Sequence, residues 1–194
     1  MAIDATKVII GAPNQKTTGA IKCGPVGTEL PTDSSTALDA AFLDGGYVSD
    51  SGVEFDGKFS TNDIVDWNGD TVRSLVKSAE CSVSWDSIQM DERDIKNTFG
   101  DDHVTVTAAT TTKGTEYAVH VDSKLPAARS WVIDMADGSA IARIVIPNGQ
   151  NIPDIKMSFK SSDVIKFPVA LTCYPDSAGN KVYFYLNDGT VKTA

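Results

Sequence analysis

"AECSVSWDS", residues 79–87, decides the fold class. Cys81, Val83 and Trp85 are apolar and point to one side of an extended chain, while Glu80, Ser82, Ser84 and Asp86 point to the other. This period of two belongs to a strand with one face in a core and one face out of it. The same alternation recurs in "HVTVT" (Val104, Val106), "EYAVHV" (Tyr117, Val119, Val121), "SWVIDM" (Trp131, Ile133, Met135) and "DIKMSFK" (Ile155, Met157, Phe159). It appears again in "VIKFPVALTC" (Ile165, Phe167, Val169, Leu171) and "KVYFYL" (Val182, Phe184, Leu186), and "TKVII" near the N-terminus is a further strand candidate. Turn pairs separate these runs: Asp56-Gly57, Asn68-Gly69, Asp137-Gly138, Asn148-Gly149, "PDSAGN" and Asp188-Gly189. The pattern predicts a mainly β fold, an antiparallel sandwich or barrel. One or two short helices are expected, the candidates being "TDSSTALDAAFLDGG" with Leu38, Ala41 and Phe42 at helical spacing and "MDERDIKNTFG" with Asp91 as cap and Gly100 as stop.

A chain of 194 residues with 41% hydrophobic residues is long enough for one good core, so a single domain spanning 1–194 is expected. Two segments lack a core period: 11–33, which reads as an extended arm, and 45–71, which reads as loop-rich. Both are longer than ordinary connections, which suits segments that order on a neighbouring subunit. The 26 acids against 17 bases leave a net charge of −9 and argue against a protein that grips DNA phosphates with Lys and Arg. The N-terminal stretch carries Asp4 and too short an apolar run for a signal peptide, and no stretch is long enough to span a bilayer, so a cytoplasmic site of synthesis is expected. Cys23, Cys81 and Cys173 are odd in number and far apart, which suggests neither a disulfide framework nor a zinc site.

Signatures of chemistry fail one by one. "GVEFDGKF" (52–59) has the glycines and Lys58 of a phosphate-binding loop, but Phe59 stands where a magnesium-binding hydroxyl belongs. "DWNGD" begins like a calcium loop, yet Thr71 and Lys77 occupy the positions of the required glycine and bidentate acid. Asp91, Glu92 and Asp94 fit a helix start, where negative charge offsets the helix dipole, and Asp101 and Asp102 beside His103 fit a turn before a strand. His120 lies on an alternating strand on the face opposite Tyr117 and Val119. No cofactor and no enzyme activity are expected. The weight shifts to a protein whose function is its surface, and a monomeric β-sandwich binding module, for instance for carbohydrate through Trp67, Tyr183 and Tyr185, is the alternative from another class.

The order of pieces "MAIDATKVIIGAP", "GPVGTELPTD", "ALDAAFLDGGYVSDSGV", "DWNGDTVR", "FGDDHVTVT", "WVIDMADG", "IVIPNGQ" and "ALTCYPDSAGNKVYFY" resembles the major tail protein, or tail tube protein, of long-tailed non-contractile bacteriophages infecting actinobacteria. The resemblance runs the length of the chain. It implies a β-sandwich-like subunit, six to a ring, with rings stacked into a hollow tube that surrounds a tape measure protein and later passes double-stranded DNA without binding it specifically. It further implies a virion protein assembled in the host cytoplasm, self-association, contacts with terminator and distal tail or tip proteins, and no membrane. The extra C-terminal immunoglobulin-like domain of some relatives is not expected. The family's long strands would line the channel, and on the two segments with one wholly polar face the lining residues would be Glu80, Ser82, Ser84 and Asp86 with Lys156, Ser158 and Lys160.

Overall fold

The computed structural model describes residues 7–14, 19–152 and 154–191. Its elements are β1 (Ile21–Pro25), β2 (Leu43–Asp44), β3 (Val48–Val65), β4 (Thr71–Ser87), α1 (Glu92–Phe99), β5 (Val104–Thr107), β6 (Glu116–Val119), β7 (Arg129–Asp137), β8 (Ala140–Asn151), β9 (Phe167–Tyr174) and β10 (Tyr183–Asn187). All strand pairs are antiparallel. The main sheet runs β2-β1-β7-β8-β9-β4-β3, with β10 also on β8, and β5-β6 form a small second sheet. Trp85 of β4 meets Trp131 of β7 edge to face, ring centroids 5.4 Å apart, although β8 and β9 lie between them in the strand order. The sheet therefore curls until its two halves face each other across one core. Its end strands do not pair, so the curl is a sandwich and not a closed barrel.

The inner core takes Val83 and Trp85 from β4, Trp131 and Ile133 from β7, and Val169 and Leu171 from β9. Each large side chain buried here contributes about 1.5–3 kcal/mol. Alternation holds on β4 and β9, but Trp131, Val132 and Ile133 of β7 are all buried. The reason is a second layer: residues around Leu30, Leu38 and Phe42, with Tyr183 and Tyr185, cover Val132 and Val145 on the outer face of β7-β8. On that face Arg143 forms a bidentate ion pair with Asp134, Nε to Oδ1 2.6 Å and Nη2 to Oδ2 3.2 Å, and both are buried. Its Nη1 donates to the Asp33 and Thr36 carbonyls at 3.2 and 2.7 Å.

That guanidinium explains why the helix expected in "TDSSTALDAAFLDGG" is absent. Carbonyls that would accept helical N–H groups are bound by Arg143, and Asp33 Oδ1 accepts from the Ser35 and Thr36 N–H groups in a local turn. The other helix is α1, as expected: Asp91 Oδ1 accepts from Asp94 N at 2.9 Å, and Gly100 follows its end at φ 96°. Ile95 of α1 packs with Val104, Phe167 and Met157 in a third cluster. Asp94 is buried, accepts from Gly46 N at 3.1 Å and faces the Ser87 hydroxyl; burial pushes its carboxyl up to about 6. His103, also buried, has Nδ1 2.5 Å from the Phe99 carbonyl and Nε2 2.9 Å from Asp122 Oδ1.

Several sequence expectations are corrected. Val8–Ile10 of "TKVII" form no strand, and Thr6 lies outside the described residues. Within the segment 11–33, β1 pairs with β7 and Pro13 bridges Met135 of the same strand, while residues 15–18 lie outside the described residues. The span 45–71 is not loop-rich, since β3 fills most of it. Asp56-Gly57 is no turn but lies mid-strand, opposite Ser82 and Cys81. Asn148-Gly149 lies within β8, where the Trp131 indole packs on the glycine and its Nε1 donates to Gly149 O at 3.1 Å; a Cβ there would stand 3.0 Å from the indole. "DIKMSFK" forms no strand, and Ile155 and Phe159 are exposed instead of joining the core. On β10 it is Tyr183 and Tyr185 that are packed, whereas Phe184 and Leu186 are exposed.

Candidate functional site

Two surfaces of the hairpin β3-β4 stand out as candidates. The first is the outer face of β3-β4-β9. Register places Glu54 opposite Ser84, Asp56 opposite Ser82 and Lys58 opposite Glu80. On the other side of β4, Ser82 stands opposite Thr172, Ser84 opposite Ala170 and Asp86 opposite Pro168. Because opposed residues share a face and the intervening residues Val83 and Trp85 are buried, all of these project away from the core. The face carries Glu54, Asp56, Glu80 and Asp86 against Lys58, with hydroxyls between them. Unlike the outer face of β7-β8, it has no segment packing apolar side chains over it among the described residues.

Of the residues predicted from sequence, Glu80, Ser82, Ser84 and Asp86 are thus brought together on one sheet face. Lys156, Ser158 and Lys160 are not: they are exposed on the irregular segment after β8, where Lys156 Nζ lies 2.5 Å from Asp154 Oδ2. Glu54, Asp56 and Lys58 share this face and were not singled out from the sequence. The signal was present, since "VEFDGKFS" alternates straight through Asp56-Gly57, but the turn propensity of that pair masked it.

The second surface is the distal part of the hairpin. Beyond Ser82 β4 no longer pairs with β9, and β3 and β4 continue as a two-stranded ribbon for roughly 30 Å. Residues 61–77 are all exposed, among them Ile64, Val65, Val72, Leu75 and Val76. The tip is tightly built: Asp66 Oδ1 accepts from the N–H groups of Asn68 and Asp70, both at 2.9 Å, and Gly69 turns at φ 90°. The acids of "DWNGD" thereby close a turn, and Trp67 stands on it fully exposed. A lone two-stranded ribbon is marginal in water, and this one leaves its apolar side chains exposed.

The carbohydrate-type grouping of Trp67, Tyr183 and Tyr185 is not formed. Trp67 sits on the ribbon tip, while the tyrosine rings pack on the Phe42 cluster and the Tyr183 hydroxyl donates to Asp176 Oδ2 at 2.6 Å. No helix among the described residues is long and apolar enough to cross a membrane.

A family model described as "Phage tail tube protein" matches residues 1–194, and no curated protein matches the chain. The match spans the whole chain and agrees with a strand-rich fold, and the chain belongs to the phage tail tube protein family.

Proposed function

We propose that this structural protein closes into rings, six subunits to each, and that the rings stack into the tube of a long non-contractile tail of a phage infecting actinobacteria. The polar face of β3-β4-β9 lines the channel, and the ribbon makes the contact with the neighbouring ring. The observation that carries this reading is the division of one hairpin into two parts: a base with a bare, net acidic face and a tip with exposed apolar side chains. DNA carries one negative charge per about 1.7 Å of duplex, so a lining of Glu54, Asp56, Glu80 and Asp86 with serines and a single lysine repels the genome and lets it slide. A basic lining would hold it.

The outer edge of β3 ends the sheet, and an unpaired edge of that length invites pairing with another chain. A heterologous contact that returns on itself after a fixed number of subunits gives a ring. The tape measure protein occupies the channel during assembly, terminator and distal tail proteins cap the ends, and DNA passes through without specific binding. Concentrated purified protein viewed by negative-stain electron microscopy should show rings and striated tubes of constant width. Monodisperse single subunits at every concentration would refute the reading and favour an isolated binding module.

A further inference from the structure

Cys81 and Cys173 stand at facing positions of neighbouring strands. The β4-β9 register pairs Val83 with Leu171 and Ser82 with Thr172, so one further step along both antiparallel strands brings Cys81 opposite Cys173. Both side chains point into the same apolar cluster as Val83 and Leu171. Opposed residues of an antiparallel pair have Cα atoms about 4.5 or 5.5 Å apart, and a disulfide spans Cα separations of about 4.4–6.8 Å. Both thiols are free. Cys23 belongs to the same cluster but has polar partners of its own: its thiol donates to Asn97 Oδ1 at 3.3 Å and accepts from the Arg129 guanidinium.

The two sulfurs differ in access. Cys173 is 2% exposed, whereas Cys81 is half-buried, so a reagent reaches Cys81 first. Burial pushes the Cys173 thiol up to about 12, and the Lys181 ammonium acts the other way. That ammonium is fixed close by, donating to the carbonyl of Ala79, two residues before Cys81 on β4.

We propose that Cys81 and Cys173 form an intramolecular cross-strand disulfide when the protein meets an oxidising medium, with a low-molecular-weight disulfide as the oxidant. The Cys81 thiolate attacks one sulfur of the small disulfide, whose S–S bond breaks and releases one thiolate. Cys173 then gives up its proton and attacks the Cys81 sulfur, the mixed disulfide breaks, and the second small thiolate leaves. Two protein thiols are oxidised, one small disulfide is reduced to two thiols, and the two protons end on those thiols. The bond sits where β4 loses β9 and continues as the ribbon, so it fastens the root of the ribbon to the sheet. It concerns the single subunit and does not depend on ring formation.

The test is to incubate the full-length protein with oxidised glutathione, alkylate the remaining thiols, digest without reductant and map the peptides by mass. The expected product is a link between the Cys81 and Cys173 peptides, lighter by two hydrogens than the reduced pair, with Cys23 still alkylated. Cys173→Ser should lose the link and keep a glutathione adduct on Cys81, Cys81→Ser should lose both, and Cys23→Ser should behave as the unsubstituted chain. The proposal is overturned if Cys81 and Cys173 remain alkylatable in a buffer that fully oxidises a control dithiol, if the adduct on Cys81 persists in the unsubstituted chain, or if the link involves Cys23. Should a serine variant misfold by circular dichroism, the map of the unsubstituted protein decides alone.

Discussion

Replacing residues 61–77 by Asn-Gly would close the hairpin with a two-residue turn between Ser60 and Ser78, which already face each other. Every residue removed is exposed, and none belongs to a core cluster. The folded subunit should therefore lose less than about 1 kcal/mol, the range for surface changes that leave buried contacts intact. Assembly should suffer far more. The segment carries Ile64, Val65, Trp67, Val72, Leu75 and Val76, all at least 40% exposed in the free subunit. Full burial of such a side chain is worth about 1.5–3 kcal/mol, so covering half of each against a neighbour amounts to roughly 5 kcal/mol. Its loss weakens an association constant by between three and four orders of magnitude, at about 1.4 kcal/mol per tenfold. Urea denaturation followed by circular dichroism would report the fold, and sedimentation velocity with electron microscopy would report the polymer. Normal tubes from the truncated chain would refute the assignment of the ribbon to subunit contacts, and an unfolded truncated subunit would refute the claim that the ribbon stands apart from the core.

Three further predictions rest on buried charge. Arg143→Met should destabilise the subunit by about 3–5 kcal/mol, because it leaves the Asp134 carboxylate buried and unpaired, and Arg143→Met with Asp134→Leu should recover much of that loss in urea denaturation; equal stability of the single variant and the parent would contradict this. Asp94 has a carboxyl raised by burial to about 6 from an ordinary 3.8, so the native state prefers it protonated and its stability contribution falls as pH rises through 6. Asp94→Asn should remove that fall and raise stability at pH 8 by about half of the roughly 3 kcal/mol that two pKa units represent, once solvent relaxation is allowed for; an unchanged pH profile would count against it. The His103 imidazole is raised by the Phe99 carbonyl and then by Asp122, with Asp102 adding to the effect and His120 edge-on at 5.4 Å, so its stabilisation is complete below about 6.5 and lost as pH rises through its folded value. Its NMR titration should lie above that of a free imidazole and drop in Asp122→Asn, and a titration at or below the free value would disprove the bracketed imidazolium.

Sequence was most legible where a strand has one buried face and one bare face. Cys81, Val83 and Trp85 against Glu80, Ser82, Ser84 and Asp86 specified both the strand and the surface proposed to work. Val169 and Leu171 did the same for β9. Legibility failed where tertiary contacts overrode local signals. The alternation of Trp131, Ile133 and Met135 revealed β7 but not the second layer that buries Val132 and Asp134, and a single guanidinium, Arg143, turned a capped helix-like segment into a cover held by its carbonyls. At Asp56-Gly57 the pair preference for a turn competed with an unbroken alternation, and the alternation prevailed because Val53 and Phe55 continue the apolar face of Trp85 and Val83. In "DIKMSFK" the alternation was real but idle: Met157 alone of its apolar set is drawn in, to the cluster of α1 and β5-β6, and the segment pairs with no strand among the described residues.

The direction in which the outer face of β3-β4-β9 points within the assembled tube tests the account most directly. An electron cryomicroscopy reconstruction of tubes formed by the full-length protein should place Glu54, Asp56, Glu80, Ser82, Ser84 and Asp86 on the channel wall, with the ribbon crossing into the neighbouring ring. Finding Glu80 and Asp86 on the outer surface of the tube, or covered in the contact between rings, would contradict it.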